Sequence, residues 1–181
     1  MLLASRKEFA LKQEDKKRIK EGLRTAMLTE SDGHSFYKMA ALAVTDEQGK
    51  KMLELLADEE LRHFQWLKHQ REAILERGEF DESFVSPAPD DVKGARSIFS
   101  PALRDRLEDA QMEMSVLSIG MQLELNSIKY YEELVKKETL PEAKNFFSTL
   151  VDWEKFHYHS LCSHFDELKE DYWAKAGFSP F

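Results

Sequence analysis

The sequence predicts an all-α protein, a bundle of four long helices arranged as two antiparallel pairs joined by one long crossover. Three observations carry that expectation. Apolar residues recur at intervals of three and four through four long stretches, the period of a helix with one buried face. Only 7 Gly and 5 Pro occur in 181 residues, and most of the prolines gather between the second and third stretches. Finally, the chain repeats itself when slid by 94 residues: Glu30 falls on Glu124, Tyr37 on Tyr131, Thr45 on Thr139, Leu56 on Leu150, Asp58 on Asp152, Glu60 on Glu154 and His63 on His157.

The first helix is expected from about Glu14 to Val44 and the second from Asp46 to Arg77. The third should run from Leu103 to Lys137 and the fourth from Pro141 to Lys169. Thr45 with Gln48, and Thr139 with Pro141 and Glu142, read as capping boxes that open the second and fourth helices. The duplicated hairpin covers about residues 24–67 and 118–161, with 10 identities in the 41 positions from Met27 to Leu67 and no gap. Between the copies, "RGEFDESFVSPAPDDVKGARSIFSPA" has no helical period, and about 78–102 read as the crossover. A 20-residue helix is roughly 30 Å long, which about ten extended residues would span, so this link can carry the chain back along the bundle. One domain over 1–181 follows, with an aromatic tail at 170–181 that includes Trp173, Phe178 and Phe181 and is expected to pack back on the bundle.

Charge and composition narrow the function. With 26 Lys and Arg against 34 Asp and Glu, the net charge is -8, and no basic run stands free of interleaved acids. A nucleic-acid or anionic-membrane role is disfavoured, since both reward a basic patch. The single Cys162 excludes an internal disulfide framework and any four-cysteine metal site, and points to a reducing, cytoplasmic setting. The longest uncharged apolar run, "MAALAV", is too short to export or span.

The stretch "DEELRHFQW" holds Glu60 and His63 one helical turn apart where the pattern calls for core, and "VDWEKFHYHSL" repeats the arrangement with Glu154 and His157. Each ExxH pair has a lone acid 30 residues upstream, Glu30 and Glu124, with the turn of its hairpin halfway between. Folding back at that midpoint brings each lone acid level with its ExxH pair. Three and four residues from these acids lie Ala26, Met27, Gly33, His34, Gly120, Met121, Ser127, Ile128, Leu56, Ala57, Phe64, Leu150, Val151 and Tyr158, besides the two histidines. No Lys or Arg is among them, so the helices themselves supply no counter-ion. A buried carboxylate needs one, or donors, a proton or a metal. Four carboxylates and two imidazoles match two divalent ions in charge, with three ligands to each. Oxygen-rich ligation with one imidazole per ion suits iron first, then manganese, with zinc as a third candidate.

Other polar residues have plainer readings. His34 faces the same way as Glu30 but has Ile128 as its repeat mate, so a hydrogen-bonded core histidine is the default. Tyr37 and Tyr131 lie seven residues after the lone acids and are placed either to donate to ligand carboxylates or simply to fill core. Asp58 and Asp152 read as exposed rather than as histidine-orienting, and His69, His159 and His164 as surface or rim. Phe146, Phe147 and Trp153 read as core.

The runs "AMLTESDGHSFYKMA", "ADEELRHFQWL", "GMQLELNSIKYYEEL" and "VDWEKFHYHSL" resemble the rubrerythrin-type branch of the ferritin-like superfamily over about residues 20–170. The resemblance implies a ferritin-like bundle with a di-iron centre. Glu30 and Glu124 would be terminal ligands, Glu60 and Glu154 would bridge, and His63 and His157 would complete the set. It also implies that these six carry the catalysis, that hydrogen peroxide or dioxygen is the reactant, and that a homodimer forms. Two departures qualify it. Full rubrerythrins carry a four-cysteine rubredoxin domain, whereas this chain has one Cys, so a separate electron donor is expected. They also carry a second Glu three residues after the acid of the third helix, where this chain has Ser127. Peroxide reduction in oxidative-stress defence is the leading expectation. An iron-binding ferroxidase without peroxidase turnover is the alternative, and a bundle whose site holds inert zinc or nothing is the third.

Overall fold

The computed structural model describes residues 13–84 and 110–176. These form four helices: α1 (Gln13–Ala43), α2 (Glu47–Glu76), α3 (Ala110–Lys137) and α4 (Pro141–Ala176). The expected start of the third helix at 103–109, most of the crossover, and tail residues 177–181 fall outside the described residues.

Three residues separate α1 from α2 and three separate α3 from α4, so each pair folds back as an antiparallel hairpin with its long faces in contact. Tyr37 of α1 meets Glu124 of α3, while Tyr131 of α3 meets Glu30 of α1. This pairing runs α1 and α3 antiparallel and therefore α2 and α3 parallel. A connection between parallel helices must travel back along the bundle, and its first residues do so. Gly78, at φ 79°, takes the left-handed conformation that only glycine adopts freely and stops α2. Asp81 then exchanges backbone hydrogen bonds with the Gln70 side chain, at 2.8 and 2.9 Å, and the Phe84 carbonyl accepts from Trp66 Nε1 at 3.2 Å.

Two boundaries differ from expectation. The N-cap of α2 is Asp46, whose carboxylate accepts from Gly49 N at 3.0 Å. Thr45 stands one residue outside, its own N–H donating to Glu113 of α3 at 3.2 Å. At α4 the first helical bond goes from Lys144 N to the Leu140 carbonyl, so Thr139 is likewise one residue early, while Pro141 occupies the first helical position as expected. The far end of α4 runs through Ala176 rather than ending at Lys169, because the stretch "EDYWAKA" contains no helix breaker before Gly177. Trp173 therefore continues the helix, half-exposed beneath the Lys169 ammonium, instead of belonging to a folded-back tail.

The apolar core divides into two clusters. One, toward the α1–α2 turn, packs Tyr37, Met52, Leu53, Leu56, Leu117 and Leu161. The other, toward the α3–α4 turn, packs Ile19, Leu23, Trp66, Leu67, Phe147 and Trp153. Between them lies a layer of buried acids and histidines. Among the described residues no helix is long and apolar enough to cross a membrane.

Candidate metal centre

Each helix contributes to this middle layer: Glu30 from α1, Glu60 and His63 from α2, Glu124 from α3, Glu154 and His157 from α4. None of the six is more than 3% exposed. All the residues expected from the sequence to meet are brought together.

Their donor atoms fall into two overlapping groups, each with all atoms within 4.8 Å of one another. One contains Glu30, Glu60, His63 and Glu154; the other contains Glu60, Glu124, Glu154 and His157. Glu60 and Glu154 belong to both. His63 Nδ1 lies 3.2 Å from Glu30 and 3.6 Å from Glu60, and His157 Nδ1 lies 3.0 Å from Glu60 and 3.9 Å from Glu124. The His157–Glu60 approach, at 3.0 Å, is an ion-pair contact between an imidazole and a carboxylate. Glu60 Oε1, Glu154 Oε1 and His157 Nδ1 are all buried without a hydrogen-bond partner. Orphaned buried polar atoms of this kind are costly, and a cation between them removes the cost.

Local packing makes the space. A Cβ on Gly33 would sit 3.3 Å from Glu60 Cγ and Cδ, so the absence of a side chain there lets the Glu60 carboxylate lean against α1. On Gly120 it would approach Leu161 at 3.2 Å and Tyr37 at 3.4 Å, and its absence admits Tyr37 to Glu124.

The electrostatics show how much the layer lacks positive charge. Burial, then the neighbouring Glu60, pushes Glu30 up to about 8. The same causes raise Glu124, and burial with Glu30 next raises Glu154 well above the carboxylate range. Burial works against the Glu60 anion too, but the His157 imidazole beside it prevails and holds Glu60 well below its usual value. Burial likewise opposes charge on the imidazoles, yet Glu30 and Glu60 bring His63 to about 9, and Glu60 and Glu59 raise His157 well above its ordinary value. Without a cation the cluster is driven to take up protons, as buried acids packed together are.

The surroundings of these six residues follow the duplication only in part. Tyr131 donates to Glu30 at 2.5 Å and Tyr37 donates to Glu124, each hydroxyl reaching the lone acid of the other hairpin. Burial, then the adjacent carboxylate, raises both phenols well above 10, so they remain donors. Outside His157, Glu59 meets Nε2 at 2.9 Å, and Arg62 approaches Glu59 at 3.4 Å. Glu59 is a buried partner of the cluster that the sequence reading passed over. Its signal was slight: an acid one position before Glu60, on the side of α2 that faces α4. Asp58 and Asp152 are exposed, as expected. His34 donates from Nδ1–H to the Ala57 carbonyl of α2 at 2.8 Å and takes no part in either donor group. His164 corrects its surface assignment: it is 5% exposed, because α4 turns it inward.

A cavity of about 280 Å³ opens onto the layer between α1 and α3. Its walls include Thr29, Gly33, Ser127 and Tyr130, with Glu60, Glu124 and Glu154 reaching it. The Ser127 hydroxyl is turned to the Leu123 carbonyl of its own helix at 3.2 Å, so α3 offers Glu124 alone.

Fold and site together define a helical bundle with a buried carboxylate–histidine cluster compatible with a di-iron centre. The family model for rubrerythrin matches residues 21–164. The chain belongs to the rubrerythrin family and has its all-α ferritin-like architecture. No curated protein and no solved structure matches it significantly.

Proposed function

We propose that this protein is a di-iron oxidoreductase that reduces hydrogen peroxide, or reacts with dioxygen, using electrons from a separate donor. The observation that carries the reading is the pair of overlapping donor groups sharing Glu60 and Glu154, buried with no Lys or Arg among them. In this reading Glu60 and Glu154 would be shared by two ions, with Glu30 and His63 holding one of them and Glu124 and His157 the other. Oxygen-rich sets with one imidazole suit iron or manganese. A bound pair of ferrous ions would supply the two electrons that, with two protons, turn peroxide into two waters.

The chain's own residues hold and admit. Tyr37 and Tyr131 fix the lone carboxylates, and Glu59 orients His157 so that Nδ1 faces inward. Gly33 and Ser127 leave the 280 Å³ cavity open toward Glu60, Glu124 and Glu154, a route for a small neutral reactant. Reconstitution with ferrous iron under anaerobic conditions, followed by one equivalent of peroxide, tests the reading. It expects about two irons per chain and an oxidised spectrum that a reductant reverses. Failure to bind iron, or oxidation that no reductant cycles, contradicts it.

The same cavity favours one second reading, a ferroxidase that oxidises iron and passes it on. Ferric product accumulating under air beyond the bound pair separates this from peroxide turnover.

A further inference from the structure

The two imidazoles of the site sit in different company. Glu59 flanks His157, but the residue 94 positions after Glu59 is Trp153, whose indole lies flat on the His63 ring, with centroids 4.1 Å apart and planes 8° from parallel. Trp153 then meets Trp66 edge to face at 5.1 Å, Trp66 stacks on Phe146 at 4.4 Å, and Phe146 stacks on Phe80 at 4.8 Å. This line leaves the buried layer and ends at an open groove of about 390 Å³ whose walls include Trp66, Phe80, Glu82 and Phe84. Trp66 is pinned at that mouth by its Nε1–H bond to the Phe84 carbonyl.

We infer that Trp153 and Trp66 are the route by which electrons from an external one-electron carrier reach the metal pair, entering at the groove beside Phe80 and Glu82. The inference rests on the di-iron reading above. An electron leaves the carrier and arrives at the oxidised pair through His63; the indoles lend contiguous orbitals and are not themselves converted. Symmetric core packing does not account for the line. In the other copy the positions of Trp153, Trp66 and Phe146 are Glu59, Ser160 and Met52, and the opposite core cluster contains no indole. Stacked and edge-to-face rings at these separations are in van der Waals contact, which is the condition for efficient electronic coupling.

The experiment places a photoactive ruthenium complex on Cys introduced by Glu82→Cys, an exposed position at the groove, in a Cys162→Ser, Trp173→Phe background. A second labelled protein carries Lys51→Cys, exposed on α2 away from the line. Iron content is measured first. A flash then injects one electron from the reduced label into the ferric protein, and loss of the ferric band gives the transfer rate. Trp153→Leu and Trp66→Leu should slow transfer from position 82 by an order of magnitude or more, with Trp153→Phe close to wild type and transfer from position 51 unchanged. Equal rates in the wild type and both Leu variants, or equal slowing from both labels, overturn the inference.

If the wild type takes up no iron, the di-iron reading fails, and the metal-free protein still decides the route. Flash oxidation of the label at position 82 should generate a tryptophan radical at Trp153 in the wild type and not in Trp66→Leu. Radical yield at Trp153 that is indifferent to Trp66 counts against the path.

Discussion

The His157 half of the centre and the His63 half descend from one repeated hairpin, yet only their inward faces have stayed alike. Each offers a lone glutamate, an imidazole with Nδ1 directed inward, and a share of Glu60 and Glu154, with a tyrosine clamping the lone acid. Outside the imidazoles they part: Glu59 behind His157, Trp153 against His63. Inward positions are held by four mutually dependent carboxylates, where any loss leaves charge unbalanced. Each outer position touches only one of the two imidazoles, so a change there leaves the other half intact. The difference teaches that two ions held at these positions would not be equivalent.

The largest expected effects come from residues common to both halves. Glu60→Gln or Glu154→Gln should abolish tight binding of both ions, whereas Glu30→Gln or Glu124→Gln should leave one, as metal analysis after dialysis reports. In the metal-free protein burial and the neighbouring acids keep Glu154 protonated, so folding at neutral pH must take up a proton that the unfolded chain lacks; Glu154→Gln removes that cost and should raise stability at pH 7 in denaturant titrations, with the gain shrinking as pH falls toward 4. Loss of a single ion from Glu60→Gln would break the symmetry of the scheme.

A smaller effect sharpens the contrast. Glu59→Gln should weaken one of two binding steps by about 10–100-fold, the usual consequence of removing a carboxylate behind a ligating imidazole. Trp153→Phe should leave both steps nearly unchanged. Calorimetric titration with cobalt separates the steps, and equal sensitivity of the two to Glu59 would show that the halves are alike after all.

Tyr131→Phe and Tyr37→Phe should act equally, since the tyrosines are the outer features that the halves share. Each leaves a buried carboxylate short of a donor and should cost the folded protein roughly 1–3 kcal/mol. A marked inequality in thermal melts would place the asymmetry deeper than the imidazoles.

The smallest effect concerns Gln70 and His164, which are repeat mates. Gln70 is satisfied by the backbone of Asp81, whereas His164 is buried with Nδ1 unpartnered, and burial pushes it down to about 4. An ordinary histidine titrates near 6.5. Between those values the unfolded chain holds a proton that the folded one refuses, so the His164 contribution to stability is present above 6.5 and is lost as pH falls toward 4. His164→Gln should therefore lose less stability than wild type between pH 7 and 5. Parallel pH profiles for the two would contradict the assignment.

Much of this was legible in the sequence because a gapless repeat preserves spacing. Thirty residues between Glu30 and Glu60, and again between Glu124 and Glu154, set the site at mid-bundle once a turn fell halfway. Helix ends were less legible: Asp46 and Thr45 are both good caps side by side, and the structure uses Asp46 while Thr45 turns to Glu113, distant in sequence. Glu59 and Trp153 were hidden for the same reason. Which helix face meets a neighbour across the bundle depends on the crossing of α2 with α4, and periodicity within either helix does not encode it. His164 was misread because the inward face of α4 continues past His157 by seven residues, a full two turns, with a polar residue in an apolar place.

Stepwise ferrous titration of the purified chain, followed by metal analysis per chain, bears most directly on the central claim. Two irons bound in unequal steps, both abolished by Glu60→Gln, are what a shared carboxylate pair between two inequivalent positions produces. A single iron, or none, in the wild type would mean that the buried acids of this bundle are balanced in some other way.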